Sequence, residues 1–247
     1  MGERPWCRGR SEGGSRAPRA MPSIVSFIFI WSAAAITAGA DTGLPREKDY
    51  DYDPPVPGSY NLPVVKAAPD GAILDSNGTS LNLRDLTHGR ITVLSFIYTR
   101  CAAPKACPYA TSVMSQLHLL SVEDKTLAKN MRIVSMSFDP DYDTPQHLAA
   151  YAESMREEKS GCEWDFATAK SHSELDSILS AYGQAVDKRP DPADPQGPLY
   201  HILRVFLIDR EGRIRNIYSS GTLDLRLVLA DVKTLLLEDT TKVEIRK

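Results

Sequence analysis

The chemistry-bearing residues of this chain are four cysteines, Cys7, Cys101, Cys107 and Cys162, and five histidines. Cys101 and Cys107 stand close together, separated by Ala102-Ala103-Pro104-Lys105-Ala106 and followed by Pro108. A cysteine works as its thiolate, both toward metals and as a nucleophile. Cys107 is placed to open a helix, where the dipole favours a thiolate. Arg100 and Lys105 add positive charge nearby. The spacing matches neither the C-x-x-C redox motif nor a zinc knuckle. The loop must therefore fold back for the sulfurs to meet, and a disulfide would need Cα atoms roughly 4.4–6.8 Å apart. The plain alternative is a structural disulfide or two buried thiols. Asp139 and Asp143 follow a second strand and serve either to orient a site or to form turns and helix caps. Met114 and His118 lie four apart and read as helix packing. His88, His147 and His172 read as surface residues, and Cys162 as a buried or incidental thiol.

The elements that must position these residues are legible as hydrophobic patterns. Ile73–Leu81 reads as a hairpin around the Asn77-Gly78 turn. Ile91–Tyr98 is almost continuously apolar, as a strand buried on both faces is. Cys101 follows it directly. The spacing predicts a helix over Pro108–Leu127, with proline in the first turn. Met131–Phe138 is a second buried strand. A helix capped by Thr144 runs to Met155, and Trp164–Ala169 is a short strand. Ser171 with Glu174 forms a capping box for a helix to Tyr182. Residues 187–198 are a loop rich in proline and aspartate. Strands at Ile202–Asp209 and Arg213–Ser219 surround Glu211-Gly212, and an amphipathic helix spans Leu223–Leu237. This order predicts an α/β sandwich around a mixed sheet, with an N-terminal hairpin. Ile91–Tyr98 and Met131–Phe138 are expected to be parallel neighbours, because a helix links them.

The ends differ from the middle. Residues 1–40 combine a basic stretch, an apolar run from Ile24 to Ile36 and Ala38-Gly39-Ala40. They read as a secretory signal cut after Ala40. The alternatives are an uncleaved signal that anchors the chain in a membrane, and translation starting at Met21. Residues 41–61 read as an extended linker or a surface arm. The folded domain is expected over 62–240. Export places the chain in a periplasmic or other extracytoplasmic compartment, where disulfides are allowed. Three cysteines would remain, too few for a disulfide framework. The net charge of −3 gives no basic footprint for nucleic acid.

Several segments together resemble the Sco/SenC family of copper chaperones. They are Phe96-Ile97-Tyr98-Thr99-Arg100-Cys101, Cys107-Pro108, Asp139-Pro140-Asp141-Tyr142-Asp143-Thr144-Pro145, and His201 ahead of Val205–Gly212. The resemblance spans roughly Asp70 to Leu237. It implies a thioredoxin-like fold and copper, as Cu(I) or Cu(II), held by Cys101, Cys107 and His201. It implies a role in building the copper centre of a cytochrome oxidase, with an oxidase subunit or another exported copper protein as partner. Two departures are visible. The family usually has three residues between its cysteines, where this chain has five. It often has Asp before the histidine and Ser or Thr after it, where this chain has Tyr200 and Ile202.

Two thiolates and an imidazole suit Cu(I), which prefers soft ligands. Structural zinc wants four protein ligands, and the sequence offers no convincing fourth. A competing function uses the same cysteines as a thiol-disulfide oxidoreductase. His201 separates the two, because dithiol exchange does not need it.

Overall fold

The computed structural model describes residues 50–155 and 160–245. The expected signal segment, 1–40, lies outside the described residues.

The elements are β1 (Lys66–Ala67), β2 (Ala72–Asp75), β3 (Ser80–Asn82), α1 (Leu83–Thr87), β4 (Ile91–Ile97), α2 (Cys107–Glu123), α3 (Lys125–Asn130) and β5 (Met131–Ser137). There follow α4 (Pro145–Met155), β6 (Glu163–Thr168), α5 (His172–Tyr182), β7 (Val186–Lys188), β8 (Leu199–His201), β9 (Arg204–Ile208), β10 (Arg213–Ser219) and α6 (Leu225–Ile245). One eight-stranded sheet has the order β1-β10-β9-β4-β5-β6-β2-β3, and β7 and β8 form a separate ribbon. This is a mixed sheet flanked by helices, of the thioredoxin-like kind.

β4 and β5 pair in parallel from Ile91↔Met131 to Ile97↔Ser137. Every residue of β4 is buried, so the strand is covered on both faces. α2 and α6 pack over one face at β4, and α4 packs on β6 through Tyr151 and Phe166. On the opposite face Tyr182 of α5 meets Phe96 and Phe206 edge-on. The β2–β3 hairpin turns at Gly78, whose φ of 80° suits glycine, and adds to the sheet beyond β6.

The parallel strands β4 and β5 end at the same edge of the sheet. β9 is antiparallel to β4 and so begins there. The loops after β4 and β5 and the segment before β9 therefore open together, at the end where α/β sheets place reactive groups.

The structure corrects two expected elements, the helix over 108–127 and the loop over 187–198. The helix predicted over 108–127 is two helices. Asp124 interrupts it and accepts hydrogen bonds from the Thr126 and Leu127 amides, capping α3. Residues 187–198 are only partly loop, because β7 and β8 clasp its ends. Segment 50–61 is docked on α6. The Tyr60 hydroxyl donates to Asp231, and the Gly58 amide donates to Thr234. Tyr50 is buried as well.

Candidate functional site

Cys101 sits three residues beyond Tyr98 at the end of β4, half-buried, and Cys107 is buried in the first turn of α2. Both are free thiols in hydrogen-bond contact with each other. The backbone makes that possible. The Cys101 amide donates to the Tyr98 carbonyl at 3.2 Å, and Ala106 donates to Ala103 at 3.0 Å. These two turns fold the five-residue loop back on itself.

The helix N-terminus serves Cys101 rather than Cys107, contrary to the sequence expectation. The Cys101 thiol is lowered to about 6, first by the hydrogen bond from Cys107, with the Cys107 and Ala103 amides also turned toward its sulfur. The Cys107 thiol is held protonated by the same shared hydrogen bond and by burial. Arg100 does not supply the expected charge to the thiols, because its guanidinium is engaged by Asp139 at 2.5 Å. Cys101 is thus the acidic, accessible sulfur, and Cys107 the buried one.

His201 ends β8. Its Nε2 lies 3.3 Å from Cys107 Sγ. The Phe138 ring covers it at 4.6 Å between centroids. Burial pushes the imidazole down to about 4, so it is neutral at ordinary pH and keeps a lone pair for a ligand or a proton. Its Nδ1 is buried without a hydrogen-bond partner.

The three residues meet pairwise, Cys101 with Cys107 and Cys107 with His201. Among the described residues no set of three His, Cys, Asp or Glu side chains is closed tightly enough to hold an ion as it stands. Cys107 is common to both contacts, and Cys101 sits on the folded-back loop that precedes α2. A cavity of about 440 Å³ adjoins both sulfurs, with Tyr98, Thr99, Tyr151 and Met155 in its wall.

Several supporting residues were missed or misjudged at the level of sequence. Asp143 is fully buried and accepts from the Thr99 amide at 3.0 Å, from the Thr99 hydroxyl and from Ser137. It therefore fixes the strand end that carries Cys101, in keeping with the orienting role among the two the sequence leaves open. His147 is half-buried, not a plain surface residue, with Nε2 3.1 Å from Thr99 Oγ1. The Tyr98 hydroxyl donates to the Leu199 carbonyl at 2.7 Å, and the Ala102 amide donates to the Gln196 carbonyl at 3.1 Å. These bonds tie the cysteine loop to the segment that leads into His201. Gly197, at φ 100°, lets that segment approach, since a Cβ there would meet Tyr98 Oη at 2.4 Å. The proline and glycine run ahead of His201 was the available signal.

Cys162 precedes β6 and so lies at the opposite end of the sheet from Cys101. It is buried, and burial raises its thiol to about 11. His118 lies beside it, Nδ1 to Sγ 3.9 Å, and packs on Trp164. Neither residue joins the Cys101 cluster, and Met114 is fully buried packing.

The family model described as SCO1/SenC matches residues 69–237. The SCO1 protein homolog of Bacillus subtilis is 28% identical over 147 residues, 59% of this chain and 69% of that protein. Among solved structures, a SCO1/SenC family lipoprotein from Bacillus anthracis superposes with a TM-score of 0.59 at 24% identity, covering 72% of this chain and 99% of the other. Arabidopsis thaliana ScoI, solved with copper bound, gives 0.58 at 17% identity, covering 70% and 99%.

Proposed function

The chain belongs to the SCO1/SenC family, and from that premise we propose that it is an extracytoplasmic copper chaperone that holds Cu(I) between Cys101, Cys107 and His201. The cargo is handed to a copper-accepting protein, such as the copper-bearing subunit of a respiratory oxidase. The observation that carries this reading is the 3.3 Å contact between Cys107 Sγ and His201 Nε2, made by residues 94 positions apart. A sulfur and a neutral imidazole held face to face suit a soft monovalent cation. Cys101 supplies the second sulfur by loop closure, and Cys107 gives up its proton as the ion arrives. Delivery is then ligand exchange, with no bond-making turnover. Membrane attachment comes only by an uncleaved signal within residues 1–40. No helix among the described residues is long and apolar enough to cross a bilayer.

A second reading rests on the acidic, half-exposed Cys101. Its thiolate would attack one sulfur of a partner disulfide and release the other as a thiolate. Cys107 would then lose its proton and attack the Cys101 sulfur, releasing the reduced partner. The net result is two electrons and the Cys107 proton passed to the partner, whose other thiolate takes its proton from water, and one disulfide left on this chain.

Variants separate the two readings. His201→Ala is expected to weaken Cu(I) binding at least tenfold, in competition with a chromogenic chelator, while Cys101 and Cys107 still oxidise to a disulfide. Cys101→Ser and Cys107→Ser are expected to lose both properties. Cu(I) binding by His201→Ala equal to that of the wild type would remove the histidine from the ligand set and favour the redox reading.

A further inference from the structure

Among the described residues, Cys162 and His118 form a second pairing of sulfur with imidazole, at the opposite end of the sheet from Cys101. His118 Nδ1 faces Cys162 Sγ across 3.9 Å. The Cys107–His201 contact is closed by comparison, at 3.3 Å. Metal–ligand bond lengths give the gap a meaning. Zinc stands about 2.3 Å from sulfur and about 2.0–2.1 Å from nitrogen. Two donors of one such ion are then about 3.8 Å apart at an angle of about 120°, and roughly 4.3–4.4 Å apart in a line. The gap between Cys162 and His118 falls between these values, so an ion fits without moving either atom.

Both residues are held in place by their surroundings. The Cys162 amide donates to Ser121 Oγ at 2.7 Å, and that hydroxyl donates to the His118 carbonyl at 2.6 Å. α2 thus fixes the backbone on each side of the gap. The imidazole packs on the Trp164 ring at 5.9 Å between centroids. Gly161 permits the approach, because a Cβ there would meet His118 Cε1 at 2.8 Å. A cavity of about 610 Å³ borders both His118 and Cys162. Asn77 and Glu153 in its wall are exposed, so the cavity reaches the surface.

The donors select the ion. Glu163 and Asp165 are in the same wall, but their carboxylates face Arg132 at 2.6 Å and 3.2 Å. Across the gap stand one sulfur and one imidazole nitrogen, a soft set that suits Cu(I). Structural zinc takes four protein ligands. Charge points the same way. Cys162 is 2% exposed and His118 3%, and a net charge buried there is costly. Burial keeps the Cys162 thiol protonated, raised to about 11. A monovalent cation that displaces this proton leaves the pair neutral. A divalent cation leaves a buried positive charge.

We propose that Cys162 and His118 form a second, low-coordinate Cu(I) site, separate from the Cys101 centre. One Cu(I) enters by the cavity and binds Sγ and Nδ1, and the thiol proton leaves to water, with no change of oxidation state. Two ligands hold an ion less tightly than three, so this site fills after the Cys101 centre. It takes no donor from that centre and does not depend on it.

The test removes the other thiols. The full chain carrying Cys7→Ser, Cys101→Ser and Cys107→Ser is titrated anaerobically with Cu(I) against a chromogenic chelator. About one equivalent is expected, with one sulfur and one nitrogen neighbour by X-ray absorption. Adding Cys162→Ala or His118→Gln to this triple variant should weaken binding at least tenfold, with melting curves recorded for each. The X-ray absorption of the triple variant requires neither added substitution to fold. No Cu(I) uptake by the triple variant, a spectrum without sulfur, or unchanged affinity on adding Cys162→Ala would overturn the proposal. The wild type is titrated in parallel. Uptake no tighter than that of the triple variant would strike the Cys101 copper reading and leave this second site standing.

Discussion

Cys101 and Cys107 differ only in surroundings, and the difference sets their roles. Cys101 receives hydrogen bonds from Cys107 and from the first turn of α2, and its thiol falls to about 6. Iodoacetamide should therefore label the reduced, metal-free chain first at Cys101, with a rate that rises through a midpoint near pH 6. Cys107→Ala removes the main donor and should move that midpoint toward the roughly 8.5 of a free thiol, as measured by mass-resolved alkylation. An unchanged midpoint would show that the helix N-terminus alone acidifies Cys101. His201 makes a separate prediction. Its imidazole is pushed from 6.5 to about 4 by burial, so below pH 6.5 the unfolded chain binds a proton that the folded chain refuses. Stability from this group is complete above pH 6.5 and falls as pH drops toward 4, by up to about 3 kcal/mol. Urea melts of metal-free protein across that window should show a shallower pH slope in His201→Gln than in the wild type.

At the scale of elements, two short segments carry the reactive residues, and each is held by a device outside it. Asp143 holds the end of β4 through Thr99 and Ser137. Asp143→Ala leaves several buried donors unpaired and should cost about 2–4 kcal/mol in a urea melt, while loosening the Cys101 turn enough to raise its alkylation midpoint. Tyr98 and Gly197 hold the ribbon to the cysteine loop. Gly197→Ala places a Cβ 2.4 Å from Tyr98 Oη and 2.6 Å from the Arg100 carbonyl, at a φ of 100°. It should cost more than about 1 kcal/mol and weaken Cu(I) binding, because His201 shifts with the ribbon. Wild-type copper affinity in this variant would separate the ribbon's position from the site. The large elements were legible in the sequence for physical reasons. β4 and β5 are largely apolar, buried runs, Asn77-Gly78 marks its hairpin, and Ser171 and Glu174 cap α5 through local chemistry. The ribbon was not, since β7 and β8 are only three residues each and sit at the ends of a proline-rich loop. Asp124 was read through, because the apolar spacing continues past it to Leu127, although its side chain restarts the helix. The convergence of Cys101, Cys107 and His201 came from a resemblance. Which thiol is acidic depends on hydrogen bonds that no spacing rule reports.

Across the whole molecule, one buried carboxylate joins the arm, the sheet and the last helix. Asp231 of α6 accepts from Tyr60, Asn216 and Tyr218. Arg215 of β10 similarly reaches the Leu62 carbonyl and Glu238. α6 also packs on α2, the helix that begins at Cys107. A chain beginning at Leu62 should therefore lose about 2–4 kcal/mol against one beginning at Tyr50, measured by thermal melting, with the cysteine pair still able to oxidise. Equal melting would mean that segment 50–61 only lies against α6. On the proposed reading, the sheet end carrying Cys101, Cys107 and His201 is built to carry copper. The most direct measurement is copper stoichiometry with X-ray absorption on anaerobically purified, reduced wild-type protein. About one Cu(I) per chain is expected, with two sulfur neighbours and one nitrogen neighbour. Protein that retains no copper while its dithiol cycles readily would contradict it.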